Sequence, residues 1–563
     1  MKFNSSIKKL SVFIYFTLAL SAAGSAQQWQ WAKSAAGSSN IDRNVIITDD
    51  NAGNIYMTGE FEGTCTFGND TLVAFGNRAV FVARFDALGD CMWAIQGGGT
   101  FSSNDGLGIA TDNSGNVYVT GNFSNQIVFG GYTLNPVSNS YNSFIAKFDP
   151  FGNCQFLKGI HSSLAVAVSS LASDGSNGFL LTGALLDSTY FDGIGVTSIN
   201  NAGSDIFLAK FDQQGNFIWV KTAGGISDDS GFGLTTDQSG NIFVTGQFKL
   251  TATFGTNTVT SYGDYDFFVA KFDNLGNNLW VRGGGASGID QCFSVSTDGT
   301  GNSYITGYFY PFPGMPTQPA HFGPFLLPDN GAGNMFIAKY DASGTCAWAK
   351  HGGGSQHDEG LAISTDANGN SYVAGLFNGS ATFGGIGLAS SGSNDAFLVK
   401  YNSSGIGLFA QKIGGSALDK GKSLLSYPNG ECILAGNFGT SVTVNTIPPS
   451  ILNVSPGSQY KVFLVKYAGG SVGINDPVSE DSRIGVYPNP ASDFLAISFL
   501  PGKRLDHHIQ ILNSLGQVVR EIFVTTDGNS DYMISLEGIA HGSYVLRDVS
   551  DDSTNHINFL IGR

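Results

Sequence analysis

The chain has 563 residues, of which 77 are Gly and only 13% are charged, and its formal net charge is −16. Gly is nearly twice its ordinary share and charge about half, a mix that fits many short strands joined by tight turns. The acidic balance, with no basic stripe, excludes a nucleic-acid partner, because a phosphate backbone demands a basic footprint.

Lys2, Lys8 and Lys9 precede an apolar run from Leu10 to Leu20 and the small residues Gly24-Ser25-Ala26. This pattern predicts a secretory signal peptide over residues 1–26. The run is too short for a membrane anchor, so the expected mature chain has no transmembrane segment and is monomeric. Export permits disulfides, and Cys65 with Cys91, which share one repeat, is the only candidate pair among six cysteines.

Residues 27–467 are built on a period. Seven times a Gly-Asn turn and an apolar stretch lead to a small residue and a glycine, at Gly59, Gly121, Gly183, Gly246, Gly307, Gly375 and Gly436. A fixed long period means that each unit buries its faces only against its neighbours. Within the unit from Asn104 to Gly159 four short strand patterns, A to D, are bounded by Gly, Asn and Asp. The links from A to B and from C to D read Asp-x-x-Gly-Asn, as at Asp112–Asn116 and Asp149–Asn153. They are hairpin turns in which Gly takes positive φ and Asp accepts from backbone N–H groups. A calcium loop is the competing reading, disfavoured because each turn supplies mainly one Asp. The seventh unit lacks a D strand, whereas Gln28-Trp-Gln-Trp-Ala-Lys33 has the pattern of one. The expected architecture is all-β: a seven-bladed β-propeller closed by an N-terminal strand and followed by a small C-terminal β-sandwich. The repeated phrases Thr-Asp-x-x-Gly-Asn-x-Tyr-Val-Thr-Gly and Phe-x-Ala-Lys-Phe-Asp resemble the bacterial SBBP-type β-propeller repeats, a likeness that implies a fold and no activity. The third repeat departs most, with Ser173-Asp-Gly-Ser-Asn-Gly at its turn.

A Gly/Ser/Pro-rich linker is expected over 468–483 and a separate domain over 484–563. Tyr487-Pro488-Asn489-Pro490, the Leu-Gly-Gln-Val turn at Gly516, and Gly542-x-Tyr544-Val-Leu stand in the order of the type A C-terminal sorting domain of the type IX secretion system, which this block resembles. The resemblance implies a Bacteroidetes-type surface or secreted protein whose partner is the type IX machinery.

Chemistry is expected on the face that holds the D-to-A and B-to-C loops, since the other face carries short uniform turns. Asp42, Asp229, Asp290, Asp358 and Asp419 begin strand A, with Asn104 and Val166 at the corresponding places. They form either a ring that holds a cation or polar ligand, or acceptors for loop amides. The longest B-to-C loop, in repeat five, offers Tyr308, Tyr310 and Phe312 as a binding platform or as a packed insertion. His351 and His357 are the only suggestive metal grouping; no metal site is expected, and no cofactor beyond an unsupported calcium. The aromatic set Trp93, Trp219, Trp280 and Trp348 reads as packing between repeats. No Gly-x-Ser-x-Gly, P-loop or HExxH pattern occurs, so the leading expectation is a non-catalytic module that binds a glycan or protein. A polysaccharide hydrolase or lyase using channel-mouth carboxylates comes second, and a structural surface or matrix protein third.

Overall fold

The computed structural model describes residues 28–36, 44–100, 102–137, 141–176, 178–199, 203–310, 318–328, 332–444, 450–453 and 460–468, and, in the C-terminal block, 484–487, 494–499, 505–513, 517–526, 532–540, 542–549 and 555–561. The candidate signal peptide and linker lie outside them. The fold is all-β, and among the described residues no helix is long and apolar enough to cross a membrane.

Each repeat forms an antiparallel ladder in the order A, B, C, D. In the second repeat these strands are Asn104–Thr111, Val117–Phe123, Asn142–Phe148 and Cys154–Ser162. The other A strands are Val45–Asp49, Ala165–Ser173, Ser230–Thr236, Asp290–Thr297, Glu359–Thr365 and Lys420–Ser426. Strand B is buried along its whole length in several repeats, as at Ile55–Phe61 and Val117–Phe123. The cause is two-sided packing: every ladder lies between the ladders before and after it. Tyr56 and Val82 of repeat one thus share a core with Val119 and Phe144 of repeat two. The circuit closes, because Ile433 and Leu464 of repeat seven pack with Val45 and Phe81 of repeat one. Each large side chain so buried stabilises the ring by about 1.5–3 kcal/mol.

Repeat seven takes its outer strand from the far end of the chain. Gln28–Ser34 pairs antiparallel with Lys461–Ala468, matching Gln28 with Ala468 and Ser34 with Phe463. Two N–H to carbonyl bonds between Ala36 and Thr66, of 2.8 and 2.9 Å, then tie this strand to repeat one. The same link recurs around the ring, where the end of a D strand meets the B-to-C hairpin of the next repeat, as Gly98 meets Val128 and Gly285 meets His321.

The Asp-x-x-Gly-Asn turns are clamps. Asp112 Oδ1 accepts from the N–H groups of Ser114 and Asn116 at 2.9 and 3.0 Å, and its Oδ2 from Asn116 Nδ2 at 2.8 Å. The same pattern holds at Asp149, Asp237, Asp273 and Asp366. At Asp341 the Ser343 hydroxyl and nearby N–H groups hold the carboxyl below its usual range. The oxygens that a calcium loop would need are thus engaged with N–H donors. Glycine is required for two reasons, illustrated by Gly152: its φ is 87°, and the ring of Trp93 from the preceding repeat lies against its α-carbon. Trp93 Nε1 also donates to Pro150 O at 3.1 Å, Trp280 Nε1 to Ala342 O at 3.1 Å and Trp348 Nε1 to Ser403 O at 3.0 Å. These three side chains therefore join their D strands to the next repeat's turn.

The expected Cys65–Cys91 disulfide does not form, and none of the six cysteines is in a disulfide. Cys65 is fully buried in its own hairpin, within the core between repeats seven and one, and Cys91 lies at that core's margin, its thiol pushed up to about 12 by burial, with the Asp70 charge adding to the effect. In the C-terminal block, Ile484–Tyr487, Phe494–Phe499 and Tyr532–Ser535 form one sheet and four further strands a second. Leu495, Ile497, Ile509, Ile511 and Ile534 from both sheets make one core.

Candidate functional site

Four of the five predicted acidic residues are in view, and Asp42 lies outside the described residues. Asp229, Asp290, Asp358 and Asp419 have no accessible surface. Each uses one oxygen to hold the D-to-A corner four residues back: Gly225 N donates to Asp229 Oδ2 at 2.8 Å, Ala286 N to Asp290 at 2.6 Å, Gly354 N to Asp358 at 2.7 Å and Gly415 N to Asp419 at 2.7 Å. The other oxygen caps the end of strand B, taking the N–H of Lys249, Tyr310, Asn378 or Gly439 at 3.0–3.1 Å. Burial pushes Asp229 and Asp419 up to about 7 and Asp358 to about 6. This geometry gives the acidic positions the role of loop clamps. Asp229→Asn is expected to lower stability by about 1–3 kcal/mol, because an amide N–H2 would then face a backbone donor. Chemical denaturation measures this, and unchanged stability would remove the clamp interpretation.

Tyr308 and Tyr310 come together with residues that the sequence reading did not join to them; Phe312 lies outside the described residues. Tyr308 is the penultimate residue of strand B of repeat five, Ser303–Phe309, and its hydroxyl donates to Gln291 Oε1 at 3.0 Å, while Gln291 Nε2 donates to Gln247 Oε1 of repeat four. The Tyr308 ring lies 5.7 Å from Phe293 and 5.3 Å from His357 of repeat six, and Tyr310 lies 6.1 Å from His357. Phe293 in turn lies 5.8 Å from Phe232 of repeat four. His357 Nε2 meets Glu359 Oε1 at 2.6 Å and its Nδ1 meets Ala332 O at 3.1 Å. That hydrogen bond to Glu359 holds the imidazole above its ordinary range. Among the described residues His357 joins no metal-holding group. His351 sits elsewhere, on a D strand against Phe309, and burial lowers its pKa.

Phe232 and Phe293 reach this cluster because strand A bulges. The register skips one residue between Gly231 and Gly233 and between Cys292 and Ser294. Leu107, Ser169, Leu361 and Lys422 are the skipped residues of four other repeats. A bulge re-aims one side chain out of the ladder. The signal was present as a residue flanked by two small ones, Gly-Phe-Gly or Gly-Leu-Ala. The arrangement offers half-buried aromatic faces, amide groups and one charged His–Glu pair across three repeats, which suits binding of a polar ligand with apolar faces.

Of the predicted sorting residues, Tyr487 closes the strand Ile484–Tyr487 and pairs with Ala496. Gly542 opens the strand Gly542–Asp548, and Tyr544 is buried with its hydroxyl on Ala540 O at 2.7 Å. Pro488, Asn489, Pro490 and Gly516 lie outside the described residues.

Residues 485–561 match a secretion system C-terminal sorting domain. That sorting domain is present. It indicates type IX export to the cell surface or extracellular space and interaction with the type IX machinery. The rest of the chain has distant relatives. An uncharacterized WD repeat-containing protein of Acanthamoeba polyphaga mimivirus is 23% identical over 78% of this chain and 38% of its own length. The regulatory protein FlaEY of Caulobacter vibrioides is 27% identical over 36% of this chain and 21% of its own. The chain thus spans well under half of either relative. Among solved structures, a variant of the Synechocystis apocarotenoid oxygenase shares 10% identity over 77% of this chain and 92% of its own, with a TM-score of 0.32. A DUF4221-family protein of Bacteroides vulgatus shares 11% over 64% and 92%, with a TM-score of 0.29.

Proposed function

We propose that the chain is a cell-surface or secreted binding module: an SBBP-type seven-bladed β-propeller, residues 27–467, carried out of a Bacteroidetes-type cell by a signal peptide at 1–26 and a sorting domain, here a β-sandwich, at 484–563 beyond a linker at 468–483. It acts as a monomer, takes a glycan or protein on the face bearing the D-to-A and B-to-C loops, and is not an enzyme. The observation that carries this reading is the aromatic and amide cluster of Phe232, Phe293, Tyr308, Gln291 and His357, which spans three repeats while the neighbouring carboxylates are spent on backbone amides. Burial and the charges of Glu359 and Asp290 hold the Tyr308 hydroxyl protonated, well above its ordinary range, so it stays a hydrogen-bond donor and acceptor at any physiological pH.

The test passes the purified full chain over a panel of immobilised polysaccharides, with and without calcium, and scores both retention and new reducing ends. Retention without cleavage is expected, weakened about tenfold or more by Tyr308→Ala or Phe293→Ala, as the loss of a stacking contact worth about 1.4 kcal/mol would produce. New reducing ends would make the chain a polysaccharide-cleaving enzyme, and failure to bind any polysaccharide would overturn the glycan reading and leave a protein ligand or a structural role.

A further inference from the structure

A residue at the start of strand C's buried stretch and one at or just before the start of the next repeat's strand A meet at the corner between two ladders. In three of these joints both are aspartates: Asp205 with Asp229, Asp266 with Asp290, and Asp395 with Asp419. All six have no accessible surface. They converge on a glycine corner: a Cβ on Gly224 would overlap both Asp205 Oδ1 and Asp229 Oδ2, and one on Gly285 would overlap Asp266 and Asp290 together. Asp205 Oδ1, Asp266 Oδ1 and Asp395 Oδ1 are buried with no hydrogen-bond donor among the described residues. Two facing carboxylates with an oxygen left over cannot both stay charged in such a place at modest cost.

The surrounding groups decide what fills the gap. Ile199 N donates to Asp205 Oδ2, Tyr262 N to Asp266 Oδ2 at 2.9 Å and Ser391 N to Asp395 Oδ2 at 2.9 Å, so donors already point at these sites, an arrangement hostile to a metal cation. Among the described residues the positive side chains at these joints are Lys412, 3.5 Å from Asp395 Oδ2, and Lys249, whose N–H Asp229 holds and whose ammonium pairs with Asp264. The Asp205/Asp229 pair is faced instead by the further acid Asp228 and by the Tyr265 ring, and Asp290 is faced by Tyr308. A fourth joint shows the neutral equivalent: there Asn334 stands opposite Asp358, at the same kind of corner beside Gly353. Asn334 occupies that corner without adding a second carboxyl charge beside Asp358.

We propose that the Asp205/Asp229 and Asp266/Asp290 pairs each hold one proton shared between their carboxyl groups, and that its loss to solvent loosens the joints between repeats three, four and five. In the protonated pair Asp205 Oδ1–H donates to Asp229 Oδ2, which keeps a lone pair for Gly225 N–H; Asp266 and Asp290 match this with Ala286 N–H. Releasing the proton leaves two like charges at Asp205 and Asp229 with only the Gly225 N–H at their shared corner. Burial sets the working range by pushing Asp205 to about 6 and Asp229 and Asp266 to about 7. These folded values lie above the ordinary carboxylate range, so the native state binds the extra proton, and its stabilising effect is fully present in acid and lost as pH rises through about 6–7. Because Asp290 Oδ1 also holds Tyr310 N at 3.0 Å, the second pair adjoins the Tyr308–Tyr310 segment.

The test compares the full chain with the double variant Asp205→Asn and Asp266→Asn, which copies the Asn334 joint. Between about pH 5 and pH 8 the wild-type melting temperature is expected to fall by roughly 5 °C or more, and the variant to lose at least half of that dependence. Infrared spectra near pH 6 provide a second measurement that does not rely on the variant's stability: the wild type should show the C=O band of a protonated carboxyl in deuterium-exchange-protected form. A pH dependence equal in both proteins, a wild-type melting temperature that rises with pH, absence of that band, or stabilisation by added calcium or sodium in place of acid would each overturn the proposal.

Discussion

Deleting residues 27–37 lowers the melting temperature by more than about 10 °C, or leaves a chain that does not close at all. The segment supplies the outer strand of repeat seven, with six register pairs from Gln28/Ala468 to Ser34/Phe463. Trp29 is 2% exposed and meets Tyr467 edge-on at 5.5 Å, and Trp31 lies against Gly89 of repeat one. Losing one such buried Trp costs about 3–5 kcal/mol, and the deletion also strips the N–H and carbonyl row of Lys461–Ala468, turning a paired strand into an open edge. Calorimetry on the full chain and the deletion measures the effect, with Trp29→Ala as a milder point version. A melting temperature unchanged by the deletion would refute closure of the ring through this strand.

Removal of residues 484–563 has the largest expected effect on the cell biology: the ring folds yet stays in the periplasm. Residues 485–561 are the segment that matches the sorting domain, and their core of Leu495, Ile509, Ile511 and Tyr544 is made within the block itself. Cell fractionation together with protease treatment of intact cells reads the outcome. Normal surface display of the truncated chain would show that another segment directs export.

Much of the fold was legible because its determinants are local. The Asp-x-x-Gly-Asn turn contains its own clamp within five residues, and the Trp or Phe of the D strands announces a large buried surface wherever it occurs. The outer strand of the last repeat was legible by bookkeeping of strand patterns alone, since Gln28–Lys33 matches other D strands. What escaped was geometry made between repeats. The A-strand bulge that turns out Phe232 and Phe293 is a defect of pairing, invisible in a period-2 pattern, although the small residues on either side were its trace. The carboxylate joints escaped too. Asp205 and Asp229, Asp266 and Asp290, Asn334 and Asp358, and Asp395 and Asp419 each stand at the same sequence offset, but neither member of a pair looks unusual beside its own neighbours. His357 suggested a metal because of His351, whereas its partners are Glu359 and the two tyrosines.

The pairing of Gln28 with Ala468 also fixes the order of events in the life of the chain. Hairpins A to B and C to D close loops of a few residues, which form early and at little entropic cost, while the last ladder joins positions separated by nearly the whole repeat region. Ring closure is therefore the slowest contact to make, and it cannot precede arrival of the final repeat. Until then the leading end remains a loose strand; only when the final repeat is present can the two ends find each other and lock the molecule.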